Sequence, residues 1–205
     1  LTELTSHLTP RACGYVLAGI GSTCDPNVAT GFGVAASATV VANAVRAAGQ
    51  DEVTLLVLGT GKVGAVAGNL LIKTPGFKVL VADTIPGFAK QAVPGAVDVS
   101  GQPWHKIPCD VLVPCAGSRM IDAEMAASIP CKAICGSSNL PFADDEAQDI
   151  TAQRGIVFVP EAISSAGAIL ADSIEYYNHS AFVSSHRQLL YAYVASLVEN
   201  KTEEF

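Results

Sequence analysis

Three closely spaced glycines give the clearest chemical signal in this sequence. Gly59, Gly61 and Gly64 follow a short apolar run, and the residues after them favour a helix. Between a strand and a helix, such glycines allow a tight turn, the approach of a pyrophosphate to bare backbone and close helix–strand packing. The phosphates would meet the unpaired N–H groups at the start of the helix. The spacing therefore predicts a dinucleotide site.

An aspartate at the end of the next apolar run adds to this signal. Asp83 stands 19 residues after Gly64, where a carboxylate can accept hydrogen bonds from the adenosine ribose and would repel a 2′-phosphate. The next three residues, Thr84, Ile85 and Pro86, include no Arg or Lys. Charge alone therefore favours NAD over NADP. The alternative is a strand-end carboxylate that only caps the following turn.

Short apolar runs alternate with helical stretches between residues 53 and 158, which is typical of a parallel sheet with crossover helices. The runs are nearly all apolar, as strands covered on both faces are. We therefore predict an α/β fold, a Rossmann-type doubly wound sheet with helices on both faces. The predicted strands are Val53–Leu58, Lys78–Ala82, Val111–Val113, Ala133–Cys135 and Ile156–Val159. The predicted helices between them are Lys62–Lys73, Ile85–Gln91, Asp122–Ser128 and Asp144–Arg154.

Helices are also predicted on either side of this unit. The stretch Thr30–Ala48 is rich in Ala and Val with Arg46 as its only charge, so a helix there would be apolar on nearly all sides and buried. Ser165–Tyr177 and Ala181–Glu199 predict two C-terminal helices.

Length and composition limit the classes of protein that this chain can represent. The 205 residues allow one sizeable core, so we expect a single dinucleotide-binding domain over residues 1–205, with 1–50 and 165–205 as flanking helices. The net charge of -7 and a pI near 4.9 disfavour a nucleic-acid partner. Only 15% of the residues are charged, which predicts that a homo-oligomer, or a partner chain or domain, covers part of the surface.

No uninterrupted apolar run reaches the roughly 18 residues of a membrane span, and no secretory signal pattern is present, so we expect a cytoplasmic protein with no membrane partner. The cysteines and histidines show neither C-x-x-C pairs nor zinc spacing, which predicts no metal site. We interpret the cysteines as reduced thiols and the histidines as surface or helix-end residues. These residues are Cys13, Cys24, Cys109, Cys115, Cys131, Cys135, His7, His105, His179 and His186.

Four segments in a particular order carry a resemblance to a known family. They are Ala29–Val34, Asp110–Ala116, Cys135–Asn139, and Gly155–Glu161 followed by Ser165, Ala166 and Gly167. Together with the glycine motif, this order resembles the C-terminal NAD-binding domain of the glutamate, leucine, phenylalanine and valine dehydrogenases. The resemblance covers most of the chain, from about Tyr15 to Tyr177.

The resemblance implies roles for several residues at strand ends. Thr30 would contact the nicotinamide amide, the Pro-Cys-Ala segment would lie beside the nicotinamide ribose, and Asn139 would hydrogen-bond the cofactor. With the residues of the glycine motif and Asp83, the predicted cofactor-binding set is Gly59, Thr60, Gly61, Lys62, Val63, Gly64, Asp83, Thr84, Thr30, Cys115, Ala116, Gly117 and Asn139.

Departures from the family pattern concern the substrate and the catalytic base. Ser165 replaces the Asn that precedes Ala-Gly, and Arg119 would either grip a substrate carboxylate by a bidentate pair or be solvated. The family's catalytic lysines and aspartate have no match here, so the catalytic residues are unknown and the base is expected on another segment or chain. The implied reaction is hydride transfer between nicotinamide and the α-carbon of an amino acid or related imine. The alternative is a non-catalytic NAD-binding or regulatory subunit.

Overall fold

A six-stranded sheet in which every paired neighbour is parallel forms the centre of the molecule. The computed structural model describes residues 24–205. The strand order is β3-β2-β1-β4-β5-β6, so the first strand lies in the middle of the sheet and later strands are added outward on both sides of it. This order confirms the predicted doubly wound α/β fold. The strands are β1 Val53–Leu58, β2 Phe77–Ala82, β3 Val97–Asp98, β4 Val111–Pro114, β5 Ala133–Ile134 and β6 Val157–Phe158.

Helices cover both faces of this sheet. Asp25, Asp122 and Asp144 are N-caps whose carboxylates accept hydrogen bonds from backbone N–H groups of the following turn. The helices are α1 Pro26–Val45, α2 Lys62–Leu71, α3 Phe88–Ala92, α4 Ala123–Ser128, α5 Asp145–Gln153, α6 Glu161–Ser164, α7 Gly167–Tyr177, α8 His179–Ser184 and α9 Arg187–Glu204, with a 3₁₀ turn at Trp104–Lys106.

The central strand β1 divides two hydrophobic cores. Leu55 and Val57 face the core that also contains side chains of α1 and α2, whereas Leu56 and Leu58 face the core beneath α4 and α5. All four side chains are buried. Burial on both faces explains why the strand has an apolar run rather than an alternating pattern.

Helix α1 lies among other elements on most of its sides, as its composition predicts. It packs against α9, α2 and α7 and contributes Val34 and Val41 to the core on the sheet. By length and hydropathy α1 could also cross a membrane. Its apolar run contains Gly31 and Gly33, so it is not the uninterrupted run of a typical span, but these glycines do not break the helix. Within the fold, 56% of its 18-residue apolar window is buried, as in the core helix of a soluble protein.

A short buried polar chain joins α1, α9 and the end of β5. The Ser37 hydroxyl lies 2.8 Å from the Thr202 hydroxyl and 3.2 Å from the Cys135 thiol. Burial raises the pKa of the Cys135 thiol to about 12, so the group is neutral at physiological pH. The chain satisfies three polar side chains in an otherwise apolar environment.

The structure corrects several predicted boundaries. The predicted helix Ala181–Glu199 is two helices, α8 and α9, because the chain turns at Ser185 and the His186 side chain caps α9. The predicted helix at Ile85–Gln91 is the shorter α3, and strand β3 was not predicted.

Other predictions shift by a few residues or lie beyond the described range. The predicted helix Thr30–Ala48 begins earlier, at Pro26, and ends at Val45. Predictions that concern Cys13, His7 or Tyr15 lie outside the described residues.

An ion pair fixes the amino edge of the sheet. The Asp110 carboxylate pairs with the Lys132 ammonium at 2.7 Å and accepts hydrogen bonds from the Thr54 N–H and the Gln50 amide. Burial would raise the pKa of Asp110, but the hydrogen bonds from Lys132, Thr54 and Gln50 outweigh it and hold the pKa below its ordinary value. Asp110 therefore stabilises the fold in its ionised form.

We expect Asp110→Asn to lower the free energy of unfolding by about 1–2 kcal/mol at pH 7, because the amide cannot form the ion pair. The folded-state pKa of Asp110 lies below the unfolded value of about 3.9, so its contribution is complete above that pH and is lost as the pH falls through the folded-state pKa. Urea unfolding of parent and variant should therefore converge at acid pH.

A matched control is Lys201→Ala, which removes an exposed ion pair with Glu204. It should change the free energy of unfolding by less than about 0.5 kcal/mol. A difference between the parent and Asp110→Asn that is as large at pH 3 as at pH 7 would contradict the assignment.

Candidate functional site

The turn from β1 to α2 has the geometry that its glycines predict. Gly59 has a φ of +81°, and a Cβ there would lie 2.7 Å from the Cβ of Ala116. A Cβ on Gly64 would collide with the carbonyl oxygen of Gly59. Both positions therefore require glycine for the turn itself.

Gly61 differs from the other two glycines of the motif. It is the N-cap of α2, and a Cβ there would meet no atom within 4 Å among the described residues. Its φ of -68° is one that any residue adopts. The open space in front of Gly61 is at the start of a ten-residue helix. Among the described residues, no N-cap side chain accepts a hydrogen bond from the first N–H groups of this helix. An anion at this place would meet backbone N–H groups and the positive end of the helix dipole.

Asp83 is joined to this turn by hydrogen bonds. Its Oδ2 accepts from the Thr60 N–H at 2.8 Å and from the Thr60 hydroxyl at 2.9 Å, and its Oδ1 accepts from the Ile85 N–H at 3.1 Å. Burial would raise the pKa of Asp83, but these hydrogen bonds outweigh it and hold the pKa below its ordinary value. Asp83 is thus an anion at neutral pH that positions the turn, and its Oδ1 retains capacity to accept from a ligand.

A cavity of about 780 Å³ opens at the carboxyl edge beside this turn. Six residues of the predicted cofactor-binding set line it: Gly59, Gly61, Asp83, Thr84, Cys115 and Ala116. Its other walls, which the sequence did not indicate, are formed by Leu58, Ala82, Gly101, Gln102, Pro103, Trp104 and Met120.

Other residues of the predicted set lie outside this lining. Thr60 is fully buried beneath the turn, and Lys62, Val63 and Gly64 form the first turn of α2. Gly117 is exposed and follows Ala116 in the loop after β4.

Thr30 lies on α1, at a different part of the carboxyl edge. Its hydroxyl donates to the Pro26 carbonyl at 2.9 Å, and its Cα would lie 2.7 Å from a Cβ on Gly167. Close packing therefore brings Thr30 near the segment that contains Ser165, the candidate substrate residue two positions before Gly167.

Asn139 belongs to a turn that is fixed from both sides. The Ser137 and Ser138 N–H groups donate to the Pro114 carbonyl at 2.8 and 2.9 Å. After the turn, the Leu140 N–H donates to the Glu161 carboxylate at 3.2 Å. Glu161, the last residue of the family-like segment Gly155–Glu161, thereby holds the segment that follows Asn139.

Arg119, the second candidate substrate residue, lies beside this turn rather than in the large cavity. Its N–H donates to the Leu140 carbonyl at 2.7 Å, and both residues have left-handed backbone conformations, with φ of 55° and 48°. Together with Glu161 they line a separate pocket of about 220 Å³. A left-handed backbone at two residues that are not glycine is costly, so this loop pair is held by its surroundings.

The ionisable groups of the large cavity do not include a strong base. Burial raises the pKa of the Cys115 thiol, and its hydrogen bonds with Ser137 offset only part of that effect. Cys115 is therefore a neutral thiol, and Asp83 is a weakly basic carboxylate. Within the described part of the chain, no group of three His, Cys, Asp or Glu side chains could hold a metal ion.

Known proteins are similar to this chain in sequence and in architecture. Residues 82–204 match the sequence model of the Glutamate/Leucine/Phenylalanine/Valine dehydrogenase family. The chain belongs to this family. It is 30% identical over 178 residues to leucine dehydrogenase from Thermoactinomyces intermedius, and the aligned part is 84% of this chain and 48% of that protein. It is 27% identical over 180 residues to NAD-specific glutamate dehydrogenase from Clostridioides difficile, which covers 76% of this chain and 42% of that protein.

A solved structure has the same fold. The crystal structure of L-tryptophan dehydrogenase from Nostoc punctiforme superposes with a TM-score of 0.68 at 20% identity, covering 85% of this chain and 52% of that one. The chain thus spans about half the length of these family members.

Two glycine variants should separate the demands of the turn from those of a ligand. We expect Gly64→Ala to lower the free energy of unfolding by about 2–3 kcal/mol, because the added carbon collides with backbone that cannot easily move. Gly61→Ala should change it by less than about 0.5 kcal/mol, because the carbon enters open space.

Urea unfolding measures the stability of each variant, and NADH titration measures its affinity for the cofactor. Gly61→Ala should weaken NADH binding by about tenfold or more, because its methyl group occupies the place of the pyrophosphate. Normal NADH binding by Gly61→Ala would show that the phosphates lie elsewhere.

Proposed function

We propose that this chain is the NAD-binding part of an amino-acid-dehydrogenase-type oxidoreductase. The observation that carries the proposal is the ionised Asp83 carboxylate, placed on the wall of a cavity that begins at the open Gly61 turn. A pyrophosphate-binding turn and a ribose-binding carboxylate on one cavity are the two features by which such folds hold a dinucleotide. Family membership supports the same class of reaction.

The start of α2 would hold the pyrophosphate of the cofactor, and Asp83 would hold its adenosine ribose. Backbone N–H groups of Lys62, Val63 and Gly64 would donate to the pyrophosphate at the start of α2. Asp83 would accept the hydroxyls of the adenosine ribose through Oδ1, because Oδ2 already accepts two hydrogen bonds from Thr60. Its negative charge supports NAD over NADP, and a relative of this chain is named as NAD-specific.

The nicotinamide end would lie further along the carboxyl edge, past β4 and β5. Cys115, Ala116 and Gly117 follow β4, and Asn139 follows β5, so the cofactor would cross the sheet from Asp83 toward Asn139. Thr30 would contact the carboxamide from α1. The bound cofactor would exchange a hydride with the α-carbon of an amino acid or related imine.

The catalytic base is proposed to come from a segment or chain outside this sequence. The ionisable groups that line the cavity are a neutral thiol and a carboxylate of lowered pKa, and neither suits proton transfer to or from an amine near neutral pH. Ser165 and Arg119 are candidates to contact an amino-acid-like substrate. The substrate class rests on relatives named as leucine and glutamate dehydrogenases.

An assembled protein is also part of the proposal. Ile169, Tyr177 and Leu189, on α7 and α9, are 69%, 76% and 69% exposed. Large apolar side chains at this exposure support a homo-oligomer or a partner domain that covers the C-terminal helices.

Charge reversal at Asp83 tests the cofactor assignment. We expect Asp83→Arg to weaken NADH binding by about 10-fold to 100-fold, because a charged hydrogen-bond acceptor is replaced by a cation, and to improve NADPH relative to NADH. Isothermal titration with each nucleotide measures both affinities. Equal NADH affinity in the variant and the parent would refute the ribose role of Asp83.

Thr60→Val is the matched control, because it removes one hydrogen bond to Asp83 but keeps the charge. It should change NADH affinity by less than about threefold and leave the preference for NADH intact. If both variants lose affinity equally, Asp83 acts through the turn alone. NADH binding without turnover of any amino acid by the whole assembled protein would favour the non-catalytic alternative.

A further inference from the structure

Part of the wall of the large cavity is formed by a loop between β3 and β4. Gly101, Gln102, Pro103 and Trp104 line the cavity from this loop. No motif in the sequence indicates a ligand contact there. The loop is an unassigned part of the proposed nucleotide site.

Hydrogen bonds hold this loop in place beside Asp83. The Ser100 hydroxyl accepts the Asp83 N–H at 3.0 Å, and the Asp98 carboxylate accepts the Ser100 N–H at 2.9 Å. The Val99 N–H donates to the Val81 carbonyl at 2.9 Å, and the Gln102 N–H donates to the Val99 carbonyl at 3.2 Å. The loop is therefore tied to the end of β2, the strand that leads to Asp83, and is preorganised.

Trp104 is the largest side chain in the loop and is fixed on one side. It starts the 3₁₀ turn, and its partly buried side chain packs against the core beneath α4 and α5. It also makes an edge-on contact with His105, with ring centroids 5.6 Å apart. An indole that packs on a core and also lines a cavity offers a rigid aromatic surface to a ligand.

The order of groups in a dinucleotide determines what must meet this surface. With the phosphates at Gly61 and the ribose at Asp83, the base lies beyond Asp83, away from α2. Besides the glycine turn and Asp83, the walls of this cavity include Pro103 and Trp104, and Gln102 brings an amide that can donate to or accept from a ring nitrogen or exocyclic amine. These groups suit a flat heterocycle with a hydrogen-bonding edge.

We propose that Trp104 is the base-positioning residue of this site and stacks on the adenine, with Gln102 at the edge of the ring. This inference rests on the proposed cofactor function. It further implies that adenosine monophosphate alone occupies the same half of the cavity, whereas nicotinamide mononucleotide does not contact Trp104.

The chain contains a single tryptophan, so its emission reports directly on the proposed contact. Adenosine monophosphate should change Trp104 emission saturably, and nicotinamide mononucleotide should not. In isothermal titrations, Trp104→Ala should weaken NADH binding by about 10-fold to 100-fold, as expected for loss of one base–aromatic stack. Trp104→Phe should retain affinity within about threefold to fivefold.

A second comparison separates stacking from damage to the fold. Trp104→Ala should bind reduced nicotinamide mononucleotide as the parent does, because that ligand lacks adenine. Val157→Ala, which shortens an apolar side chain that is 47% exposed on β6 and lies outside the cavity lining, serves as the control and should leave NADH affinity unchanged.

Two failures are distinguishable. If the parent binds NADH, but Trp104→Ala binds it equally well or adenosine monophosphate leaves the emission unchanged, the assignment of Trp104 is wrong and the cofactor proposal stands. Equal loss in Trp104→Ala and Trp104→Phe would likewise overturn stacking. If the parent binds neither NADH nor NADPH, the proposed function itself fails.

Discussion

Burial of the central strands on both faces decides where this molecule can place its polar side chains. Because the residues from Leu55 to Leu58 are all apolar and buried, the polar side chains that act on the central strands lie at the amino and carboxyl edges of the sheet. At each edge, one aspartate carboxylate accepts hydrogen bonds from a neighbouring segment. Asp110 ties the amino edge to Lys132, and Asp83 ties the carboxyl edge to Thr60. The same chemistry therefore stabilises both edges of the sheet, and the carboxyl edge is the one that carries the candidate site.

The elements that could be predicted from sequence are those whose local pattern and final environment agree. Val53–Leu58 was predicted with its observed bounds because a run of six apolar or β-branched residues suits a strand buried on both faces. Val97–Asp98 was missed because two residues carry no periodicity, and pairing with β2 alone defines them. The break between α8 and α9 was missed because the helical spacing continues across it, whereas the cap at His186 depends on one side-chain orientation.

The candidate site divides in the same way. Glycine spacing identified the turn because the positive φ of Gly59 and the contact of Gly64 with the Gly59 carbonyl are local in sequence, whereas Gly61 is expected only from the approach of a ligand. The role of Thr60 as the partner of Asp83 and the position of Trp104 arise only when loops after different strands meet. The pairing of Thr60 with Asp83 and the position of Trp104 are therefore tertiary features that no short motif predicts.

The contrast between Gly61 and Gly64 has a consequence for how such a site would change over evolutionary time. Gly64 is required by the carbonyl of Gly59, whatever the site binds, whereas Gly61 is restrained by no neighbouring atom among the described residues. If the turn binds nucleotide as proposed, selection in a descendant lineage that lost this ligand would continue to preserve Gly64 and would no longer preserve Gly61. The residue at position 64 would thus reflect the requirements of the fold, and the residue at position 61 those of the ligand.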